Sequence, residues 1–283
     1  MAVKFTIWTE AMLPAKEMLL PSPGKIGILR QLPPPEIIWL DETESTHNLL
    51  KTPEYADIPE YRMIAARRQT AGRGQRGNSW ESEPDKNLTF SLVVRPTDLR
   101  PSQQFCISEA TALAVVTTLR AYGLEATVKW PNDIYVADSK ICGILIDHSI
   151  DSQRILRTVI SAGINANQLR FVSDAPNPVS IAMLTGQSVD LERLARTFMW
   201  TLREYMPLTS TARGRSLLHD AFRARLYRGD GRAWPFRDAA TGAVFNGIID
   251  DVMPDGRLLL RRDIDPEESA PHSYLFKEVA FII

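Results

Sequence analysis

The chain has 283 residues, 44% of them hydrophobic and 24% charged, which gives enough apolar mass for a sizeable core and excludes wholesale disorder. Its 33 basic residues against 34 acidic ones leave a net charge of −1, so there is no cationic surplus to displace counterions from a nucleic acid, and no apolar run approaches the roughly 18 residues a membrane helix needs. Two cysteines (Cys106, Cys142) and four scattered histidines exclude a disulfide framework or a four-cysteine metal site, the N-terminus lacks the pattern of a secretory signal, and a protein of the reducing cytoplasm is expected.

Residues 1–35 hold six prolines, which interrupt helices and supply no backbone donor, so this segment reads as an irregular extension in which no three-helix DNA-binding unit fits. Met12 and Met18 lie within it as alternative starts. Ile37-Ile38-Trp39-Leu40 and then Arg62-Met63-Ile64-Ala65-Ala66 predict two strands. Leu88, Phe90, Leu92 and Val94 alternate with Thr89, Ser91 and Val93, the period of a strand with one face buried. Pro101 and Ser102 open a predicted helix that Gly123 ends. Three strands are predicted over Thr127–Lys129, 140–147 and Ile155–Ile164, with turns at Pro131-Asn132-Asp133, Ala137-Asp138-Ser139 and Asp151-Ser152. Asp190 caps a helix carrying Leu191, Leu194, Phe198 and Leu202, and an arginine-rich helix is predicted over 216–227. Short strands around Val244, Ile248, Leu258 and 279–283, with a hairpin turn at Asp255-Gly256, predict a small antiparallel barrel. The fold class is α+β: a domain on a mixed or antiparallel sheet, then a small all-β domain. The expected division is 1–35, 36–230 and 231–283.

Four segments carry chemistry. Gln69-Thr70-Ala71-Gly72-Arg73-Gly74-Gln75-Arg76-Gly77-Asn78-Ser79-Trp80 alternates glycine with arginine after a strand, and reads either as a phosphate-holding loop or as a solvated turn. Lys129-Trp130-Pro131-Asn132-Asp133 places a lysine at a strand end, where it either neutralises an anion or sits in solvent. Gly163-Ile164-Asn165 follows a buried strand, and its asparagine either reads a base edge or shapes a turn. Asp41-Glu42-Thr43-Glu44-Ser45-Thr46-His47 is a helix-capping box with a second hydroxyl available to a ligand.

The order Ser-Thr, GRGxRG…W, KWPND, KxxGIL, GIN resembles the biotin–protein ligase family, from about Ile37 to the C-terminus. The closing Phe276-Lys277-Glu278-Val279 is similar to the family's SH3-like barrel. The resemblance implies a catalytic domain over 36–230 and that barrel over 231–283. It implies an enzyme that joins biotin and ATP, with Mg²⁺, into biotinyl-5′-AMP and moves biotin onto one lysine of a biotin carboxyl carrier protein. By similarity Ser45, Thr46 and Gln69 hold the ureido ring. Gly72, Arg73, Gly74 and Arg76 form a loop closing over biotin and phosphate. Trp80 stacks on adenine or lines its pocket, Lys129 bridges the biotin carboxylate and the α-phosphate, Asn132 lies nearby, Asn165 reads adenine, and Asp133 places Mg²⁺ or fixes the turn. Lys129, Arg73 and Arg76 are the expected catalytic residues.

The sequence departs from that pattern at His47, where Asn is usual, at Gln75, where Arg is frequent, and at Cys142 and Ser161, where small residues are usual. Two other enzymes of the same fold remain alternatives: a lipoate–protein ligase, and an octanoyl transferase with Cys142 as nucleophile. A biotin-sensing repressor that also ligates, and a catalytically dead binding module, are the alternatives of other classes; no DNA partner, no membrane, and a monomer or homodimer are expected.

Overall fold

The computed structural model describes residues 33–172, 177–262 and 270–283. Most of the proline-rich extension expected over 1–35 lies outside the described residues.

Seven strands form a mixed sheet: β1 (Glu36–Thr43), β2 (Arg62–Gln69), β3 (Leu88–Val94), β4 (Thr127–Lys129), β5 (Asp133–Val136), β6 (Ser139–Ile150) and β7 (Ile155–Ile164), in the order β1-β2-β3-β7-β6-β5-β4. Only β1 and β2 run parallel; the other neighbours are antiparallel. The parallel pair needs a crossover, and residues 44–61 supply it with the short helix α1 (Thr46–Leu49).

The helices α2 (Phe105–Arg120), α4 (Leu191–Tyr205) and α5 (Ala212–Arg223) follow, with the short α3 (Ile181–Thr185) before α4. α2 is apolar on nearly every side because it lies between the sheet and α4 and α5. Phe198 of α4 meets Phe90 of β3 at 4.8 Å between ring centroids, and Phe222 of α5 meets Phe105 of α2 at 5.5 Å. Truncating such a core ring costs about 3–5 kcal/mol.

β3 differs from the expected half-buried strand, since all seven of its residues are buried. Leu88, Phe90, Leu92 and Val94 face the helical core, while Val93 packs with Leu50, Ile58, Ile64 and Val159 under the crossover. The sheet is therefore covered on both faces, and the second cover is the segment that carries Ser45 and Thr46.

Four further expectations need correction. The Ser45 side chain caps no helix amide, so the capping box does not form. Asp133 begins strand β5 rather than completing a turn, because 133–136 pair with both β4 and β6. The arginine-rich helix starts at Ala212, capped by Thr211, and ends at Arg223. Residues 224–227 leave it because Arg225 and Tyr227 bond the backbone of Val128 at the β4 edge. The helix expected from Pro101 begins as a 3₁₀ turn, with the α-helix starting at Phe105.

A second, antiparallel sheet has the order β11-β10-β9-β8-β12. Its strands are β8 (Trp234–Asp238), β9 (Val244–Val252), β10 (Leu258–Arg262), β11 (His272–Tyr274) and β12 (Val279–Phe281). The β9–β10 turn uses Gly256 at φ +94°, which glycine adopts at low cost. Trp130 donates its indole N–H to Gly256 O at 2.8 Å, and His219 of α5 bridges Glu109 of α2 and Asp251 of β9 at 2.8 and 2.9 Å. These contacts tie the small sheet to the larger body. Among the described residues no helix is long and apolar enough to cross a membrane.

Candidate active site

Two cross-strand rows on one face of the larger sheet organise the site. In the first, Ser91 of β3 faces Ser161 of β7, which faces Leu145 of β6. In the second, Thr89, Gly163, Gly143, Asp133 and Lys129 follow one another across β3, β7, β6, β5 and β4. Partners in a ladder point their side chains to the same face, so residues far apart in sequence meet here.

These rows underlie a cavity of about 910 Å³, walled by α1, the 70–80 loop and the small sheet. Ser45, Thr46, Gln69, Arg73, Gly74, Trp80, Lys129, Asn132, Asp133 and Asn165 all line it. Gly72 does not line it; its carbonyl accepts the Trp80 N–H at 2.9 Å, which folds the loop back on itself. The Arg76 side chain lies outside the described residues.

Trp80 lies flat on the second row. A Cβ on Gly163 would come within 2.2 Å of its indole, and one on Gly143 within 2.8 Å, so both positions require glycine for the ring to approach. The indole N–H is buried without a hydrogen-bond partner among the described residues.

The neutral part of the cavity is a set of hydroxyls and one amide. Gln69 Oε1 accepts from Thr46 N at 2.8 Å and lies 3.2 Å from Thr46 Oγ1. Ser45, unused as a cap, lines the cavity while almost fully buried. Asn165 donates to Val179 O at 3.1 Å, and its buried Oδ1 has no partner among the described residues, which leaves an acceptor for an amine. Asn132 donates to Ile144 O at 2.5 Å, so its amide ties the β4–β5 turn to strand β6.

The charged part is built on Lys129 and Lys140. Lys140 Nζ lies 2.7 Å from Asp133 Oδ1 and 5.6 Å from the Trp80 ring. Lys129 Nζ stands 5.3 Å from the Tyr135 ring and 5.1 Å from Phe281 of β12. Burial lowers the Lys129 pKa, with Lys140 and Arg228 adding to that and Asp133 opposing it. Arg73 extends the positive charge along the loop.

Lys140, and Phe276, Lys277 and Phe281 near the C-terminus, also line the cavity, though none of them was among the expected site residues. The signal for Lys140 was its place three residues before Gly143 in KxxGIL. For Phe281 no local signal exists, because β12 reaches the site only through tertiary packing. Cys142 is fully buried in the core, which raises its pKa far above the ordinary thiol range. That environment keeps it protonated and inaccessible, unlike a nucleophile.

A Mg²⁺ ion bound with ATP takes most of its ligands from phosphate and water, so one protein carboxylate suffices. Among the described residues no group of three or more His, Cys, Asp or Glu side chains gathers as a metal site. Asp133 lines the cavity and offers one carboxylate of that kind, its Oδ1 shared with Lys140 and its other oxygen free, among the described residues, to take a ligand place.

The model of the biotin/lipoate A/B protein ligase family matches residues 39–165. The chain is 30% identical over 207 residues to the biotin--[acetyl-CoA-carboxylase] ligase of Paracoccus denitrificans, covering 70% of this chain and 83% of that one. It is 30% identical over 202 residues to the bifunctional ligase/repressor BirA of Escherichia coli, covering 69% of this chain but only 62% of that protein's length. A biotin protein ligase from Aquifex aeolicus, solved with biotin and ATP, has the same fold: TM-score 0.69, 21% identity, 87% of this chain and 97% of that one. Fold, cavity and relatives agree: the chain belongs to the biotin–protein ligases of the biotin/lipoate A/B protein ligase family.

Proposed function

We propose that this protein activates biotin as biotinyl-5′-AMP and transfers it to a lysine of a biotin carboxyl carrier protein in the cytoplasm, without acting on DNA. The observation that carries the reading is the joining, in one cavity, of a neutral hydrogen-bonding floor and a cationic wall. A cyclic urea needs buried acceptors and donors without charge; a carboxylate meeting a triphosphate needs cations.

Ser45, Thr46 and Gln69 hold the ureido ring. The biotin carboxylate attacks the α-phosphorus, the bond to the bridging oxygen breaks, and pyrophosphate leaves. Lys129, Lys140, Arg73 and Arg76 offset the repulsion of the two anions and the charge that grows between them. Trp80 and the Asn165 acceptor take adenine, the ring by its π face and the exocyclic amine by a hydrogen bond. Gly72 and Gly74 let the loop fold close over the phosphate, and Asn132 fixes the β4–β5 turn beside it against β6. Asp133 holds the Mg²⁺ that arrives with ATP; when bound, the ion neutralises phosphate charge. In the second step the acceptor lysine's neutral amine attacks the carbonyl of the mixed anhydride, an amide forms, AMP leaves with the bonding electrons, and a proton is lost from nitrogen.

The test is incubation of the full chain with ATP, Mg²⁺ and either biotin or lipoate, with the adenylate identified by mass spectrometry. Biotinyl-5′-AMP is expected. Lipoyl-AMP alone would replace the reading by a lipoate ligase.

A further inference from the structure

A polar chain runs from the cavity floor out to solvent. Thr46 Oγ1 lies 2.8 Å from Ser91 Oγ, Ser91 Oγ 2.7 Å from Ser161 Oγ, and Ser161 Oγ 2.8 Å from His47 Nδ1. His47 Nε2 lies 3.0 Å from Asp147 Oδ2, which also accepts from Lys51 Nζ at 2.5 Å. Thr46, His47, Ser91 and Ser161 are buried, and all but Ser91 line the cavity. His47 and Ser161, two departures from the family pattern, are thus bonded to each other.

Each hydroxyl owns one hydrogen, so the end of the chain decides its direction. The Asp147 carboxylate only accepts, so neutral His47 carries its hydrogen on Nε2 and leaves Nδ1 as an acceptor. Ser161 must then donate to Nδ1, Ser91 to Ser161, and Thr46 to Ser91. Every hydroxyl hydrogen is drawn away from the cavity, and Thr46 and Ser161 offer it only lone pairs. Gln69 Oε1 keeps a lone pair as well, since Thr46 reaches it through the backbone N–H.

An imidazolium donates from both nitrogens. Nδ1–H then bonds Ser161, and the Ser161 hydrogen is released. It points into the cavity, or it reverses the chain, Ser161 to Ser91 to Thr46, until Thr46 donates to Gln69 Oε1 at 3.2 Å. Either way the floor loses an acceptor. The groups facing His47 are Asp147 on β6, Lys51 after α1 and Arg73 on the loop. Burial is the largest influence and favours the neutral ring, Lys51 and Arg73 add to it, and Asp147 opposes it; the balance lowers the His47 pKa.

We propose that His47 is a positioning residue that sets, through Ser161 and Ser91, the hydrogen-bond polarity of the cavity floor. With a neutral imidazole the floor accepts from the N–H groups of a cyclic urea; with the imidazolium it loses one of those acceptors. This rests on the biotin reading given above and adds its pH dependence. By linkage, biotin in turn lowers the proton affinity of His47.

The experiment is calorimetric titration of the full chain with biotin alone, from about pH 8 to about pH 5.5, where histidine takes up its proton. The parent should bind a few-fold more weakly at the acid end, a loss bounded by the fraction of His47 that has taken up its proton there, because its lowered pKa keeps part of the rings neutral. His47→Asn, which does not titrate, and Ser161→Ala, which cuts the chain, should both give flat profiles. On the parent protein alone, NMR titration of the His47 ring should show its pKa falling when biotin is added. A flat parent profile, an unchanged slope in either variant, or an imidazole indifferent to biotin would overturn the proposal. No biotin binding even at pH 8 would overturn the ligase reading and this inference together, whereas tight but pH-independent binding overturns the inference alone.

Discussion

The row through Ser91, Ser161 and Leu145 carries no charge, whereas the row one step along, through Thr89, Gly163, Gly143, Asp133 and Lys129, ends in a carboxylate and an ammonium. The first is central in the sheet and roofed by α1, so its polar atoms bond one another. The second runs to the β4 edge, where the small sheet supplies Phe281 as a wall. One sheet face therefore offers two environments side by side: one suited to recognising a neutral ring, the other to bringing anions together. Recognition and chemistry become separable by mutation.

The largest effect is expected in the charged row. Lys129→Ala and Lys140→Ala should each slow adenylate formation by about 10²–10³, the usual cost of one preorganised donor. Biotin affinity should change far less. Lys129→Arg should restore only part of the rate, because a planar fork does not fill the place of a compact ammonium. Pyrophosphate release at saturating biotin and ATP, beside a thermal melt, measures this. A lysine variant that melts normally and turns over at the parent rate removes that lysine from the chemistry.

A smaller and different effect is expected at the floor. Gln69→Ala removes the acceptor beside Thr46 and should weaken biotin binding about ten- to a hundredfold, the cost of about 1–3 kcal/mol for an unpaired buried polar group. The rate at saturating biotin should stay within a few-fold of the parent. If it instead falls as far as in the lysine variants, the two rows do not have separate tasks.

What the chain made legible follows the same division. Gly72–Trp80 residues, KWPND and GIN stand out because glycine, arginine and turn residues are conspicuous where strands end, and most of the residues they named line one cavity. Ser91 and Leu145 were silent: a serine or leucine in mid-strand looks like any other strand residue until the register shows which face it joins. Strand β5 was hidden by Pro131-Asn132-Asp133, whose turn chemistry is real but ends one residue earlier. The tail of α5 was misjudged because an edge strand competes for the same backbone groups, and helical periodicity carries no information about that competitor. The aromatic wall from β12 depends wholly on packing between the two sheets.

The smallest expected effect concerns that wall and the alkaline limb of the pH profile. Burial is the main cause of the lowered Lys129 pKa. The ammonium is therefore lost at lower pH than from a free lysine, and adenylate formation should fall as pH rises through that lowered value. Phe281→Ala removes a ring 5.1 Å from Nζ and has two opposed consequences. Water enters and favours the charged form; the ring's negative face, which also favours the cation, is lost. Because desolvation outweighs the other influences on this lysine, the alkaline limb should move to higher pH. Phe281→Leu keeps water out while removing the π face, so its limb should stay in place or move slightly down. Lys129→Arg, which does not titrate in this range, should lose whatever part of the limb belongs to Lys129. Pyrophosphate release followed from about pH 7 to about pH 10 separates the three. A limb that is the same in all of them belongs to another group, and the aromatic wall then shapes the cavity without tuning its charge.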